Sequence, residues 1–89
     1  MTRLFIRHKI KDFDDWKKIY DAAEDLRKSM GVTRHEVYQL EEDPNDVTAY
    51  HDFKSMNEAK AFASSPGLKE AMKEAGLVGN PDMWFTRPV

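Results

Sequence analysis

An α+β fold, with one antiparallel sheet carrying its helices on a single face, is predicted by three features of this sequence. From Leu4 to Ile10 apolar and polar side chains alternate, the mark of a half-buried strand. From Phe13 to Met30 the apolar residues recur at helical spacing instead. The segment Tyr50–Met72, YHDFKSMNEAKAFASSPGLKEAM, then runs from a strand through a capped helix to a break and a further helix. With 89 residues to distribute, the expectation is one domain over residues 1–89.

Each element has its own warrant. In the first strand Leu4, Ile6, His8 and Ile10 share one face, and Phe5, Arg7 and Lys9 the other. Asp12 is a suitable N-cap for a helix whose buried stripe is Phe13, Trp16, Ile19, Tyr20, Ala23, Leu26 and Met30. Asp14 and Asp15 in its first turn, and Arg27 and Lys28 in its last, suit the helix dipole, and Gly31 is placed to end it. Val32–Glu41 reads as the second strand. The turn composition of Asp43-Pro44-Asn45-Asp46 predicts a hairpin into a third strand over Val47–Phe53. Ser55 and Glu58 have capping-box spacing before a helix over Met56–Ser64. Ser65-Pro66 opens another helix over Pro66–Ala75, ended by Gly76. Gly79-Asn80-Pro81 reads as a loop before a last strand over Asp82–Arg87. The order is βαββαβ with a broken second helix. Its simplest packing is a ferredoxin-like four-stranded antiparallel sheet, with the helices on one face and strands one and three as central neighbours.

Composition narrows the function classes. No cysteine is present, so a disulfide framework and a thiolate metal site are both absent. MTRLFIRHKI alternates and carries charge with no apolar run behind it, so neither a signal peptide nor a membrane span is expected, and the expected location is cytoplasmic. Sixteen acidic residues against fourteen basic give a net charge of −2, with the two signs interleaved, which argues against a nucleic-acid partner. Glycine-rich phosphate loops, Gly-x-Ser-x-Gly elbows and cysteine nucleophiles are missing. A small domain gains by burying its open sheet face against a second copy, so a homodimer is expected.

The three histidines lie one per strand. Closing the hairpin at Asp43–Asp46 sets Tyr38 opposite His51 and Glu36 opposite Phe53, which turns His35 to the other face from His51. A three-histidine metal site is therefore not expected, and no short histidine pair of metal-ligand spacing occurs. His8 and His51 make the better pair. Parity places both on the apolar face of central strands, where they open into one cavity beneath Trp16, Tyr20 and Phe62, with Tyr38 and Glu36 as partners for His51. An imidazole there acts as general acid or base, orients a ligand, or serves only as a hydrogen-bonded structural residue. Phe13, Trp16, Tyr20, Phe53, Phe62 and Met72 read first as core. On the opposite face, Arg7 or Lys9 is expected to pair with Asp52 across strands.

Tyr50–Met72, with its large aromatic at the end of strand three, its helix and its Ser-Pro step, resembles the antibiotic-biosynthesis-monooxygenase-like families of the dimeric α/β-barrel superfamily. The resemblance implies that a partner's sheet covers the open face and that a pocket lies between sheet and helices. It also implies, for members active on quinone-forming aromatics, that no metal or flavin is needed. Phe53 and Phe62 fall where such relatives carry tryptophan or histidine. The haem-degrading branch matches poorly, since Ile6 and Met72 stand at its signature asparagine and axial histidine.

Two readings stay open. The first is a homodimer binding a planar or aromatic small molecule, as a cofactor-independent oxygenase or cyclase-like enzyme. In it His8 and His51 are the catalytic residues, and Trp16, Tyr20, Tyr38, Phe53 and Phe62 contact the ligand. The second is a non-catalytic binding or interaction module with structural histidines. The first calls for a cavity of roughly 300 Å3 or more reaching His8 and His51; a filled core favours the second.

Overall fold

The computed structural model describes residues 1–89. Its elements are β1 (Thr2–Ile10), α1 (Phe13–Ala22), α2 (Glu24–Ser29), β2 (Arg34–Leu40), β3 (Asp43–Phe53), α3 (Met56–Ala63), α4 (Pro66–Glu74) and β4 (Leu77–Thr86). The sheet order is β2-β3-β1-β4 and every pairing is antiparallel. β1 and β3 are the central neighbours, and the helices lie on one face: a ferredoxin-like α+β layer. None of the helices is long and apolar enough to cross a membrane.

Helix starts follow their caps. Asp12 accepts from the Asp15 amide at 3.0 Å, Ser55 from Glu58 at 3.3 Å, and Ser65 from Leu68 at 3.1 Å with Pro66 in the first turn. The Glu58 carboxylate lies over Gly31, which has φ +92° and where a Cβ would collide with it. The helix expected over Phe13–Met30 is broken at Ala23, which leaves helical geometry (φ −89°, ψ 15°) and bonds back to Tyr20. No proline or glycine marks the break.

The hairpin differs from expectation in a way that matters. Glu41 and Glu42 make the turn, and Leu40 pairs with Asp43. The Asp43–Asp46 segment is the irregular start of β3: Asp43 accepts from the Asn45 amide, and the pairing jumps between Gln39 and Leu40, a bulge with turn composition. Tyr38 therefore faces Thr48 rather than His51, Glu36 faces Tyr50, and His35 faces His51. That odd shift exchanges the two faces of β2. Similarly, Gly79-Asn80-Pro81 is a bulge within β4 rather than a loop before it, with Val78 opposite Lys9 and Asp82 opposite Arg7.

Alternation divides the sheet cleanly. Leu4, Val47 and Phe53 are sealed beneath the helices with Phe62, each worth roughly 1.5–3 kcal/mol of burial. The opposite face carries an aromatic band across all four strands: Trp84 stacks on Phe5 at 5.5 Å, Phe5 meets Tyr50 at 6.2 Å, and Tyr50 meets Tyr38 at 6.5 Å. Two bidentate ion pairs flank it, Arg3–Asp52 (2.7 and 3.0 Å) and Arg7–Asp46 (3.1 and 2.9 Å). Neither is the expected pairing of Arg7 or Lys9 with Asp52. Because β1 begins at Thr2, Arg3 stands directly opposite Asp52, while Arg7 stands opposite Thr48 and reaches Asp46 diagonally.

Trp16 anchors the helical layer. It is buried, stacked on Tyr20 at 4.8 Å, and packed with Ile10, Val47 and Ala75. Trp16→Ala should cost ~3–5 kcal/mol, the range for emptying a buried aromatic site. Urea denaturation by linear extrapolation measures it; a loss below about 1 kcal/mol would show that Trp16 does not hold the layer together.

Candidate functional site

Three rows of side chains on the helical face of the sheet build the site. The pairings set Leu4, His51 and His35 in one row, Ile6, Ala49 and Val37 in the next, and His8, Val47 and Gln39 in the third. Two imidazole-bearing rows thus flank an aliphatic one. Ala49 at its centre is small, and above it a cavity of about 40 Å3 opens against Trp16, Tyr20, Phe62 and Met72. His8 and His51 both line it. They sit four positions apart along the paired strands, roughly 13 Å of strand length, so they stand towards its two sides.

Of the residues expected at the site, His8, His51, Trp16, Tyr20 and Phe62 come together around this cavity. Phe53 does not reach it: fully buried, it packs behind Phe62 at 5.5 Å as core. Tyr38 is on the other face of the sheet, exposed and bonded to Glu36 at 2.7 Å, because of the hairpin register. It cannot contact a molecule in the cavity, and neither it nor Glu36 partners His51. The cavity also falls well short of the roughly 300 Å3 that drug-sized ligands occupy.

The partners of His51 come from elsewhere. Tyr20 Oη lies 3.3 Å from His51 Nε2 and 2.8 Å from His35 Nδ1, and His35 Nε2 lies 3.2 Å from Glu24 Oε2. The His35 and His51 rings are nearly parallel, 5.9 Å apart, so both address the phenol rather than a shared metal position. Arg27 is buried, with its guanidinium 4.0 Å over the Tyr20 ring and its Nη2 donating to Glu24 Oε2 at 3.0 Å. Sequence reading missed Glu24, Arg27 and His35. Tyr20, Glu24 and Arg27 do follow at four and three residues, the spacing of a single helical face, and that signal was available. For His35 the misplaced turn hid the signal.

Three imidazole nitrogens in this interior have no protein partner: Nδ1 and Nε2 of His8, and Nδ1 of His51. Burial pushes the His51 imidazole down to about 3, with His35 and Arg27 adding to the effect, so charging it at pH 7 costs on the order of 5 kcal/mol. Burial also lowers His8, against a smaller pull from Asp46. Tyr20 is pushed up to about 12 by the same burial, with Arg27 opposing. His51 and Tyr20 are therefore neutral near pH 7, while the Arg27 hydrogen bond holds the Glu24 carboxyl below its usual range.

A stability consequence follows from linkage. In the unfolded chain the His51 ring titrates near 6.5, and in the fold near 3. The stability carried by the neutral ring is complete above the unfolded value and is lost as pH falls from 6.5 towards 3; His8 acts in the same direction. Melting followed by circular dichroism from pH 8 to pH 4 should show the midpoint falling already below about pH 6.5, before carboxylates protonate. His51→Gln should flatten that part of the profile. An unchanged slope in the variant would mean that His51 is not the group responsible.

No family model matches the chain, and no curated protein matches its sequence. Solved structures do match in three dimensions. The putative antibiotic biosynthesis monooxygenase of Bordetella bronchiseptica superposes with a TM-score of 0.85 at 15% identity, over 99% of this chain and 96% of that one. A putative antibiotic biosynthesis monooxygenase from Nitrosomonas europaea gives 0.78 at 13% identity, over 100% and 99%. SnoaB, a cofactor-independent oxygenase from Streptomyces nogalater, gives 0.75 at 10% identity, over 99% and 94%. Identities this low speak for shared architecture, not shared chemistry. This chain has the antibiotic-biosynthesis-monooxygenase-like fold.

Proposed function

We propose that the cavity between sheet and helices binds a planar aromatic small molecule and that His51 exchanges a proton with it. The observation that carries this reading is the set of three buried, unpartnered imidazole nitrogens at an otherwise apolar cavity. Each unmet polar atom costs roughly 1–3 kcal/mol, a penalty that a hydroxyl or carbonyl on a ligand removes. The walls are apolar and aromatic, which suits a flat hydrophobic body with a polar edge. The chemistry available is deprotonation of an acidic O–H or C–H bond. The electron-rich anion so formed is what dioxygen oxidises without metal or flavin, and what attacks a carbonyl in a cyclisation. SnoaB's description as a cofactor-independent oxygenase is compatible with the first of these outcomes.

At about 40 Å3 the cavity has to widen before it admits an aromatic ring. The unbranched Met72 and the side chains of Leu26 and Leu68 line it and can change rotamer, a common adjustment on binding. The small volume itself favours a second reading, in which ordered water meets the imidazoles and no reaction occurs. Binding decides between them. In a Trp84→Phe background, where Trp16 is the remaining tryptophan, 1,4-dihydroxynaphthalene under nitrogen should quench the fluorescence saturably. His51→Ala should weaken binding at least tenfold, and admitting air should give oxygen uptake above the uncatalysed rate. Absence of saturable quenching with this probe and with other planar phenols would leave the water-filled reading.

The assembly proposed is a homodimer through the open sheet face. Its support is the aromatic band on that face. Trp84 and Tyr38 are exposed at its two ends and Phe5 is half-buried, while Tyr50 between them is closed over by the Arg3 guanidinium at 3.9 Å. Exposed aromatic rings on a sheet face are what a second copy would cover. Light scattering at micromolar concentration should return twice the chain mass, and Trp84→Glu should return the mass of one chain. A wild-type monomer would remove this part of the proposal.

A further inference from the structure

We propose that Glu24, His35 and Tyr20 form a proton path joining solvent to the buried Nδ1 of His51, so that a proton taken from a molecule in the cavity comes to rest on His35. This inference rests on the reading of the cavity as a ligand site, and it adds two groups, Glu24 and His35, that lie outside the cavity wall.

The geometry supplies every link. Glu24 Oε2 is 3.2 Å from His35 Nε2, His35 Nδ1 is 2.8 Å from Tyr20 Oη, and Tyr20 Oη is 3.3 Å from His51 Nε2. The outer members are open to solvent, with the Glu24 side chain 42% exposed and that of His35 28% exposed. The inner end, His51 Nδ1, is buried without a protein partner, and His51 lines the cavity.

Hydrogen-bond direction along this chain has two consistent settings. Glu24 accepts, so His35 Nε2 carries a proton in both. With His35 neutral, its bare Nδ1 accepts from the Tyr20 hydroxyl, the Tyr20 oxygen accepts from His51 Nε2–H, and His51 Nδ1 is a bare acceptor facing the cavity. With His35 as imidazolium, Nδ1–H donates to Tyr20, Tyr20 donates to His51 Nε2, and His51 Nδ1–H points into the cavity. Deprotonation moves the path from the first setting to the second. A ligand X–H loses its proton to His51 Nδ1, His51 Nε2–H passes one to the Tyr20 oxygen, and the Tyr20 hydroxyl proton passes to His35 Nδ1. The products are X⁻ and imidazolium His35 beside the Glu24 carboxylate, with every bond broken matched by one formed.

This arrangement answers the difficulty that burial creates. His51 is a poor place to leave a positive charge, since desolvation, His35 and Arg27 all oppose it. Along the path His51 only exchanges tautomers and Tyr20 only exchanges one hydroxyl proton for another, so neither ends charged. Asp21 on α1, Glu24 and Arg27 on α2, and Asp52 on β3 are the other charged groups bearing on these residues, with His8 across the cavity. Among the charged ones, only Glu24 hydrogen-bonds to His35.

The path makes a prediction about the protein without any ligand. In two-bond 15N–1H correlation spectra of the wild type recorded as pH is lowered from 9 to 5, His51 Nδ1 should pass from the unprotonated to the protonated nitrogen range together with the signal of His35 gaining its second ring proton. In Tyr20→Phe, which keeps the ring and removes the hydroxyl, His51 should hold one tautomer over the same pH range. His35→Phe keeps an aromatic ring on a partly exposed strand and should likewise leave His51 independent of pH; it serves where Tyr20→Phe fails to fold. A His51 tautomer that stays fixed in the wild type when the spectra show His35 protonated, or that switches equally in the variants, overturns the path. Coupled switching in a protein that binds no aromatic molecule would support the path and sink the ligand reading instead.

Discussion

The register of β3 between β1 and β2 determines what the rest of this molecule can do. Because side chains alternate with a period of two, each pairing assigns a whole set of residues to one face. The observed register lines up Leu4, His51 and His35 across three strands, a row that runs from sealed interior to solvent. It sends Glu36 and Tyr38 to the opposite face, where they join Tyr50. A shift of one residue in β2 would separate the two imidazoles and expose Val37. What holds β3 is burial of Val47, Ala49 and Phe53 on the helical side, with the Arg3–Asp52 and Arg7–Asp46 pairs on the other.

Within that frame the interior is more polar than stability alone would favour. A leucine at position 8 would fill similar space without two unmet nitrogens, and net stabilities of 5–15 kcal/mol leave little room for idle penalties. The two histidines differ in kind. His8 meets Trp16 edge-on at 5.7 Å and has no hydrogen-bond partner, so water or a ligand is its only source of one. His51 is bonded on one nitrogen and free on the other, the arrangement of a group that relays rather than stores a proton. The Tyr20–Arg27 stack adds a buried cation balanced by Glu24. Removing that carboxylate would leave the guanidinium unpaired in the interior, which is the costly half of a buried pair.

Much of the fold was legible because it depends on local rules. Alternation at Leu4–Ile10, the caps at Asp12, Ser55 and Ser65, and Pro66 after its cap all act over a few residues, and all are met. The two misplaced turns share one cause. Asp43-Pro44-Asn45-Asp46 and Gly79-Asn80-Pro81 have the composition of turns, and the same residue types serve where a strand's pairing jumps, as it does at both segments, with Gly79 at φ +73°. Composition does not say whether the chain reverses or continues past such a segment; pairing with β1 decides. The misplaced turn sent Tyr38 to the wrong face and separated His35 from His51. For the site, His8, His51, Trp16, Tyr20 and Phe62 followed from parity and helical spacing. The break at Ala23 has no proline or glycine to mark it, whereas the four- and three-residue spacing of Tyr20, Glu24 and Arg27 was open to reading.

The two faces of the sheet also constrain how the cavity can change size. Its floor is made by Ile6, Ala49 and their row neighbours on the central strands, held by ladder hydrogen bonds on both sides. A subunit packed on the aromatic band would stiffen that floor further, since Phe5 and Tyr50 alternate directly with Leu4, Ile6, Ala49 and His51. Any widening then falls to the helical layer, whose contacts with the sheet are made by side chains. There the break at Ala23 divides two short helices, and Ala23, Leu26 and Arg27 all line the cavity beside it. A movement of α2 about that break would alter the volume and the Glu24–His35 contact together. On the proposed reading, entry of a molecule and the setting of the proton path would be coupled through one helix, with the sheet as the fixed reference for both.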